Sequence, residues 1–121
     1  MRKAEQFVEA AETIRELAES EHELADACVT LCVHAGIAAS DVICCIEVKE
    51  HAQGDAHNQA LALLTSVKPG GRELAKSLRA LLGMKTRAGY SHGPVTSDDH
   101  KRAFRQAERL IRAARDRQGA V

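Results

Sequence analysis

The 121 residues carry equal numbers of basic and acidic side chains, and 45% of them are hydrophobic, so the length predicts one domain with a substantial core. Only 2% are aromatic, so that core must be built mainly from aliphatic side chains and cysteine. The sequence contains no Gly-rich phosphate loop, GxSxG elbow or HExxH motif, and it gives no support to the enzyme classes that use them. We expect one domain over residues 1–121, with residues 117–121 frayed.

The charge is unevenly distributed along the chain. Residues 1–67 contain four lysines and arginines against twelve acidic residues, whereas residues 68–121 contain thirteen against five. The two parts therefore carry −8 and +8, and this asymmetry is more informative than the net charge of zero.

Residues 2–19 and 20–50 are predicted to form the first two helices. Apolar residues recur in both at three- and four-residue steps, which is the helical period. The first helix has an apolar stripe of Phe7, Ala10, Ala11, Ile14, Leu17 and Ala18, and an acidic face of Glu5, Glu9, Glu12 and Glu16. The second is apolar nearly all round, which predicts a buried central helix, and Ser20 with Glu23 forms a capping box at its start.

A narrow polar stripe interrupts the central helix. Asp26, Thr30, His34 and Asp41 follow one side of it, together with Ile37. Buried polar groups need hydrogen-bond partners, so the stripe is either a satisfied polar seam or an edge that faces water. The alternative is that it lines a cleft or a dimer contact, which makes His34 and Asp41 candidate binding residues.

All four cysteines lie in the central helix, at Cys28, Cys32, Cys44 and Cys45. Cys28 and Cys32 are one turn apart on a helix, a geometry that does not bridge easily, and there is no CxxC motif, signal peptide or membrane span. We expect free, buried thiols in a cytoplasmic protein without a membrane segment. A Cys/His metal site is the alternative, but the ligand spacings of zinc sites are absent, so we predict no metal and no cofactor.

The rest of the chain predicts three more helices. Residues 55–67 form the third, which the Pro69-Gly70-Gly71 sequence stops, and residues 72–82 form the fourth. Residues 87–97 contain two glycines and a proline and predict the longest loop, after which Thr96 or Ser97 caps a strongly amphipathic fifth helix. The predicted fold is an all-α, up-and-down bundle of about five helices with a long central helix.

The outer face of the fifth helix is basic, with arginines at steps of three, four and three, namely Arg102, Arg105, Arg109 and Arg112. Such a row suits contacts with phosphate groups, which are driven by charge and independent of sequence. Alternatively, the face is simply solvated, or it pairs with the acidic face of the first helix. No aromatic residue is interleaved with the arginines, so we do not expect a base-stacking platform.

The predicted loop and the residues before it collect a second set of candidate residues, namely Lys85, Arg87, Tyr90, Ser91 and His92. Histidine can transfer protons near neutral pH, and arginine can stabilise a phosphate or a developing negative charge. Alternatively, Tyr90 closes the end of the bundle, and Arg87 and His92 are solvated.

His51 and His57 flank Asp55 at a spacing that fits no metal motif, so we expect solvated histidines there.

Several segments resemble HEPN domains (higher eukaryotes and prokaryotes nucleotide-binding). The resemblance covers residues 21–115 and rests on AGIAASDxIC in the central helix, HAxGxxH at the break, LLxxKTRAGYS, and AFRQAERLIRAAR in the last helix. It implies an all-α homodimer. It also implies a partner role with nucleotidyltransferase-type antitoxins, or a metal-independent ribonuclease of a toxin–antitoxin or defence system. The family's nuclease motif is Arg, four to six residues, then His, and Arg87 and His92 fit that spacing.

Two departures from the family bear on the site residues. Ala88 follows Arg87 where members often have asparagine or another polar residue, and the family motif opens a helix. A related branch has Arg, four residues, then Tyr, and Lys85 with Tyr90 fits that frame with lysine in place of arginine.

In the nuclease alternative, the resemblance implies that His92 acts as acid and base on the ribose 2′-hydroxyl while Arg87 stabilises the phosphate. His34 or Asp41 would line the cleft.

Three hypotheses follow from the sequence. The leading one is a HEPN-like homodimer that binds a nucleotide, RNA or a partner protein without established catalysis. The second is a metal-independent RNase toxin that uses Arg87 and His92. The third is a structural bundle whose acidic and basic faces pair between chains.

Overall fold

The computed structural model describes residues 1–17, 25–50, 57–90 and 97–119, with all side chains in these ranges except those of residues 25, 85–90 and 97. Within these ranges the chain forms five helices and no strand, which confirms the predicted all-α bundle. The helices are α1 (Arg2–Leu17), α2 (Ala25–Glu47), α3 (His57–Thr65), α4 (Gly71–Tyr90) and α5 (Ser97–Gly119).

Helix α2 is the centre of the bundle, because it packs against each of the other four helices. The contacts with α1 show the relative direction of the two. The Cys28 thiol donates to the carbonyl oxygen of Ala11 over 3.6 Å, while the His34 ring stacks on the Phe7 ring. Later residues of α2 therefore meet earlier residues of α1, and the two helices run antiparallel.

Helix α5 runs parallel to α2 and antiparallel to α4. Glu47 at the end of α2 pairs with Arg117 at the end of α5. Arg109 donates to Ser77 Oγ of α4, and Arg117 donates to the carbonyl oxygen of Pro69 just before α4 begins.

Among the described residues α1 and α4 do not touch, so they lie on opposite sides of the α2–α5 pair. The four long helices thus alternate in direction along the chain, as the up-and-down prediction requires.

Two glycines lie where a Cβ atom would collide with a neighbouring helix. At Gly36, a Cβ atom would collide with Leu81 Cδ1 of α4 and lie 3.3 Å from Leu110 Cδ1 of α5. At Gly71, a Cβ atom would lie 2.5 Å from the carbonyl oxygen of Leu64. Gly36 therefore lets three helices meet in the core, and Gly71 lets α4 begin against the end of α3.

The fourth helix is longer than predicted, since it continues to Tyr90 instead of ending at Leu82. The prediction that residues 87–97 form an irregular loop is therefore wrong for residues 87–90. Gly83 does not end the helix, and Met84 extends the buried stripe by one more residue. Lys85, Arg87 and Ala88 then favour the helix, which also includes Gly89, whereas Pro94 comes only later in the sequence.

Two residues are more exposed than predicted. Leu17, assigned to the apolar stripe of the first helix, is 77% exposed, because the buried side of α1 consists of Ala4, Val8 and Ala11. Cys45 is also exposed, whereas the other three cysteines are buried as expected. The start of the central helix, with its predicted capping box, lies outside the described residues.

Helix α2 is also long and apolar enough to cross a membrane by length and composition, over Asp26–Glu47. Half of the tested stretch is buried inside the fold, and core helices of globular proteins pass the same test.

Candidate functional site

The arginine row of α5 is fully on the surface, since Arg102, Arg105, Arg109 and Arg112 are all exposed. The helical period produces this arrangement, because Ala103, Ala107, Leu110 and Ala114 occupy the opposite, buried side. Arg109 makes a long hydrogen bond of 3.5 Å to Ser77 Oγ. The other three have no ion pair or hydrogen bond with any residue that the structure describes.

Other arginines are held in place by their own chain. Arg115 pairs with Glu5 of α1 over 3.1 Å, and Arg15 lies 5.0 Å above the centre of the Phe104 ring. Arg117 lies 3.5 Å from Glu47 and donates to the Pro69 carbonyl over 2.8 Å, so it joins the ends of α2 and α5 to the start of α4. These arginines therefore tie the bundle together, whereas the outward row makes only the long bond from Arg109 to Ser77 within the described residues.

The uneven charge along the sequence places most basic residues on the last two helices and most acidic residues on the first two. Helices α4 and α5 together carry twelve basic and five acidic residues, whereas α1 and α2 carry three and seven. Helix α4 also exposes Arg72, Lys76 and Arg79, of which Lys76 pairs weakly with Glu73 at 3.8 Å. We call the row on α5 together with these three side chains the basic surface. Its α4 part belongs to a helix that α1 does not touch within the described residues.

The residues of the proposed nuclease motif are only partly described. Lys85, Arg87 and Tyr90 belong to the last turns of α4, so Arg87 lies near the end of a helix here, whereas the family motif opens one. Ser91 and His92 lie outside the described residues, as do His51 and Asp55. His57 is the first residue of α3 and is half-buried.

The polar stripe of α2 faces outward. Asp26, Thr30 and His34 are exposed and Asp41 is half-buried, so the stripe is not a buried seam within this chain. The Thr30 hydroxyl donates to the Asp26 carbonyl over 2.9 Å. The ring of Phe7 in α1 stacks on the His34 ring, with 5.3 Å between the ring centres, and this fixes the position of the imidazole.

One buried polar group was not singled out from the sequence. His100 is buried near the start of α5 and packs edge-on against Phe104, with ring centres 5.2 Å apart. The sequence did contain a signal for it, because His100 lies four residues before Phe104 and three before Ala103 on the apolar side of the helix.

Burial makes three of the thiols poor nucleophiles. It raises the pKa of Cys32 to about 12 and that of Cys44 to about 11, and it also raises the pKa of Cys28. The thiolate is the reactive form, so these groups are un-ionised and inert near neutral pH. No group of three or more His, Cys, Asp or Glu side chains in the described part of the chain is arranged to hold a metal ion.

Native protein should therefore expose a single reactive thiol. With Ellman's reagent at neutral pH, we expect Cys45 to react first and the three buried thiols at least about a hundredfold more slowly, since they need local unfolding. All four should react at once in denaturant. The Cys45→Ser variant should lose only the fast phase, and a fast phase that survives in this variant would contradict the burial pattern.

No protein-family model, curated protein or solved structure matches this chain. The resemblance to HEPN domains, the nucleotidyltransferase-type partner and the cytoplasmic location therefore stay predictions, and the function must be argued from the surface itself.

Proposed function

We propose that this chain is an RNA-binding module of HEPN-like type, and that the basic surface is where it contacts RNA. The observation that carries the proposal is the arginine row of α5, which is exposed along its whole length and mostly unpartnered within the described residues. Acidic side chains are available in the same chain, yet within its described part only Arg115 and Arg117 of the α5 arginines pair with them. The outward row is left with its charge available for an external anion.

The spacing of the row suits a phosphate backbone. Four arginines spread over ten residues of helix span about 15 Å, with neighbouring side chains roughly 5–6 Å apart. Guanidinium groups bind phosphate in a bidentate manner, which favours arginine over lysine at such a surface. The described basic surface has no aromatic side chain, so binding should be electrostatic and nearly independent of base sequence.

RNA binding should weaken steeply with salt. For a labelled single-stranded RNA in EDTA, we expect log Kd to rise with log salt concentration with a slope of at least about 3, because the four arginines of the α5 row alone release counterions from four phosphates. The Arg105→Ala/Arg112→Ala double variant should lower that slope by about 1.5 and weaken binding at low salt about tenfold. Fluorescence anisotropy over a salt series measures both quantities.

The matched control removes the same charge from α1, outside the basic surface as defined. Arg2 and Lys3 are exposed on α1, so Arg2→Ala/Lys3→Ala should leave the salt slope nearly unchanged. Equal losses in the two double variants would show a non-specific effect of net charge. Absence of RNA binding at low salt would refute the proposal.

The RNase hypothesis is the second candidate, because Arg87 lies in the last turn of α4, the helix that supplies Arg72, Lys76 and Arg79 to the basic surface. The same RNA incubations can be analysed for cleavage on a gel. Cleavage in EDTA that is lost in both Arg87→Ala and His92→Ala, with RNA binding retained, would establish a metal-independent ribonuclease. Intact RNA in all samples would leave binding as the activity.

A further inference from the structure

We propose that the basic surface binds double-stranded RNA in preference to single strands, with one strand of the duplex against each of its two helices. The inference rests on the proposed function and names the form of RNA that this surface takes. The observation behind it is that the exposed cations form two rows, one on α5 and one on α4, and that these helices lie side by side.

The second row consists of Arg72, Lys76 and Arg79, and we call it the α4 row. Its members follow at steps of four and three, so they lie on one face of the helix, and all three are exposed. Arg72 and Arg79 have no ion pair or hydrogen bond with any residue that the structure describes, while Lys76 lies 3.8 Å from Glu73. The α4 row therefore offers its charge outward, as the arginine row of α5 does.

Two contacts show how the rows are placed along each other. Arg109 of α5 lies opposite Ser77 of α4, and Arg117 lies opposite Pro69, which precedes α4. Both contacts fit one antiparallel register, in which the α4 row lies about level with residues 107–114 of α5. The two rows therefore run beside each other for about two turns of helix.

This separation suits two phosphate strands better than one. Packed helices lie about 8–10 Å apart, and the two rows point outward from separate helices. A single strand that follows the arginine row of α5 leaves the α4 row unused. The strands of a double helix run on either side of a groove, so a duplex laid across the junction of α4 and α5 brings phosphates to both rows.

A duplex also suits a surface that has no aromatic side chain among its described residues. Proteins that select single-stranded RNA stack its unpaired bases on aromatic side chains. The chain has two phenylalanines and one tyrosine, and both phenylalanines pack against histidines of the same chain. Double-stranded RNA is recognised mainly by its shape, through phosphate and ribose contacts. A stiff duplex also loses less freedom on binding than a flexible strand.

The breadth of the surface favours RNA over DNA. Each helix is about 10–12 Å across with its side chains, so α4 and α5 together are about 20 Å broad. B-form DNA has a minor groove only about 6 Å wide and a major groove that admits one helix. The minor groove of A-form RNA is wide and shallow, so a broad surface can approach the phosphates of both strands.

Acidic residues limit the length of the surface. Asp98 and Asp116 are exposed, one turn before Arg102 and one turn after Arg112. Their charges would repel phosphates at both ends of the arginine row. The contact is therefore expected to extend about 15 Å along α5, which is a short piece of duplex.

Paired and unpaired RNA of one sequence test the inference. Fluorescence anisotropy in EDTA compares a labelled strand of about 20 nucleotides with the same strand annealed to its complement, over a salt series. We expect the duplex to bind at least about tenfold more tightly at low salt. Its log Kd should rise with log salt concentration with a slope of about 6, against about 3 for the single strand, because a duplex engages both rows.

Two matched double variants assign the rows. Arg72→Ala/Arg79→Ala and Arg105→Ala/Arg112→Ala each remove two exposed arginines that lie seven residues apart on one helix. The first should lower the slope for the duplex by about 2 and leave the slope for the single strand nearly unchanged. The second should lower both slopes. Circular dichroism checks that each variant is folded.

Three results would overturn the inference. The first is a single strand that binds as tightly as the duplex. The second is a slope for the duplex that Arg72→Ala/Arg79→Ala leaves unchanged. The third is a DNA duplex of the same sequence that binds as tightly as the RNA duplex. All three are compatible with RNA binding itself, which only the absence of binding to either form of RNA at low salt would contradict.

Discussion

Replacing Gly36 with valine is expected to lower the free energy of unfolding by about 3 kcal/mol, because the new side chain overpacks the centre of the bundle. The Cβ atom alone would collide with Leu81 Cδ1 and press on Leu110 Cδ1. Both leucines are fully buried and cannot move aside into solvent. Urea denaturation followed by circular dichroism measures the change.

Gly83 provides the matched control, because it also lies inside a helix but has nothing within 4 Å of where a Cβ atom would be. Gly83→Ala should stabilise the protein by about 1 kcal/mol, since alanine favours the helix over glycine. Gly36→Ala has the same intrinsic gain, but the collision offsets it. Equal stabilisation by the two alanine substitutions would show that the three helices do not meet closely at Gly36.

The fold could be predicted from the sequence wherever one helix face is clearly apolar. Residues 103–114 repeat their apolar positions regularly, and α5 appears as expected. The end of α4 could not be predicted, because Gly83 is a breaker by propensity alone and only tertiary packing of Met84 shows why the helix continues. The exposure of Cys45 was missed for a related reason. A helix that is apolar all round gives no sign of which side its neighbours leave open.

The candidate surfaces show the same limit. The arginine row of α5 could be found from its spacing, since a helix places such residues on one face. That Arg115 and Arg117 are tied to Glu5 and Glu47 could not, because these pairs join residues far apart in sequence. Likewise, His34 belonged to a visible polar stripe, but its stack on Phe7 depends on how α1 crosses α2.

A salt series separates the three functional hypotheses. An RNA-binding module should release RNA as the salt concentration rises, while its own fold and oligomeric state stay unchanged. A structural bundle held by acidic and basic faces should instead dissociate in salt and bind no RNA, since exposed ion pairs are screened. A ribonuclease should cleave whether or not the salt slope is steep.

Stability should fall sharply at alkaline pH, and the buried thiol of Cys32 should account for much of the fall. Burial raises its pKa from 9.0 to about 12 in the folded protein, so the unfolded chain loses this proton first. Above pH 9 the unfolded state binds fewer protons, and the free energy of unfolding decreases with rising pH. The stabilisation is fully present below pH 9 and is lost as the pH rises towards 12.

The expected slope is about 1.4 kcal/mol per pH unit for one such thiol, and Cys44, with a pKa of about 11, adds to it. Urea midpoints at pH 8, 9, 10 and 11 under reducing conditions measure the slope.

Lysine and tyrosine also titrate in this range, so Cys32→Ala is compared with wild type. That variant should lose about 1.4 kcal/mol per unit from the slope between pH 9 and 11, whatever its stability at pH 8. Parallel slopes in the two proteins would mean that the Cys32 thiol ionises as easily in the folded chain as in the unfolded one, and that the contact between α2 and its neighbours admits water.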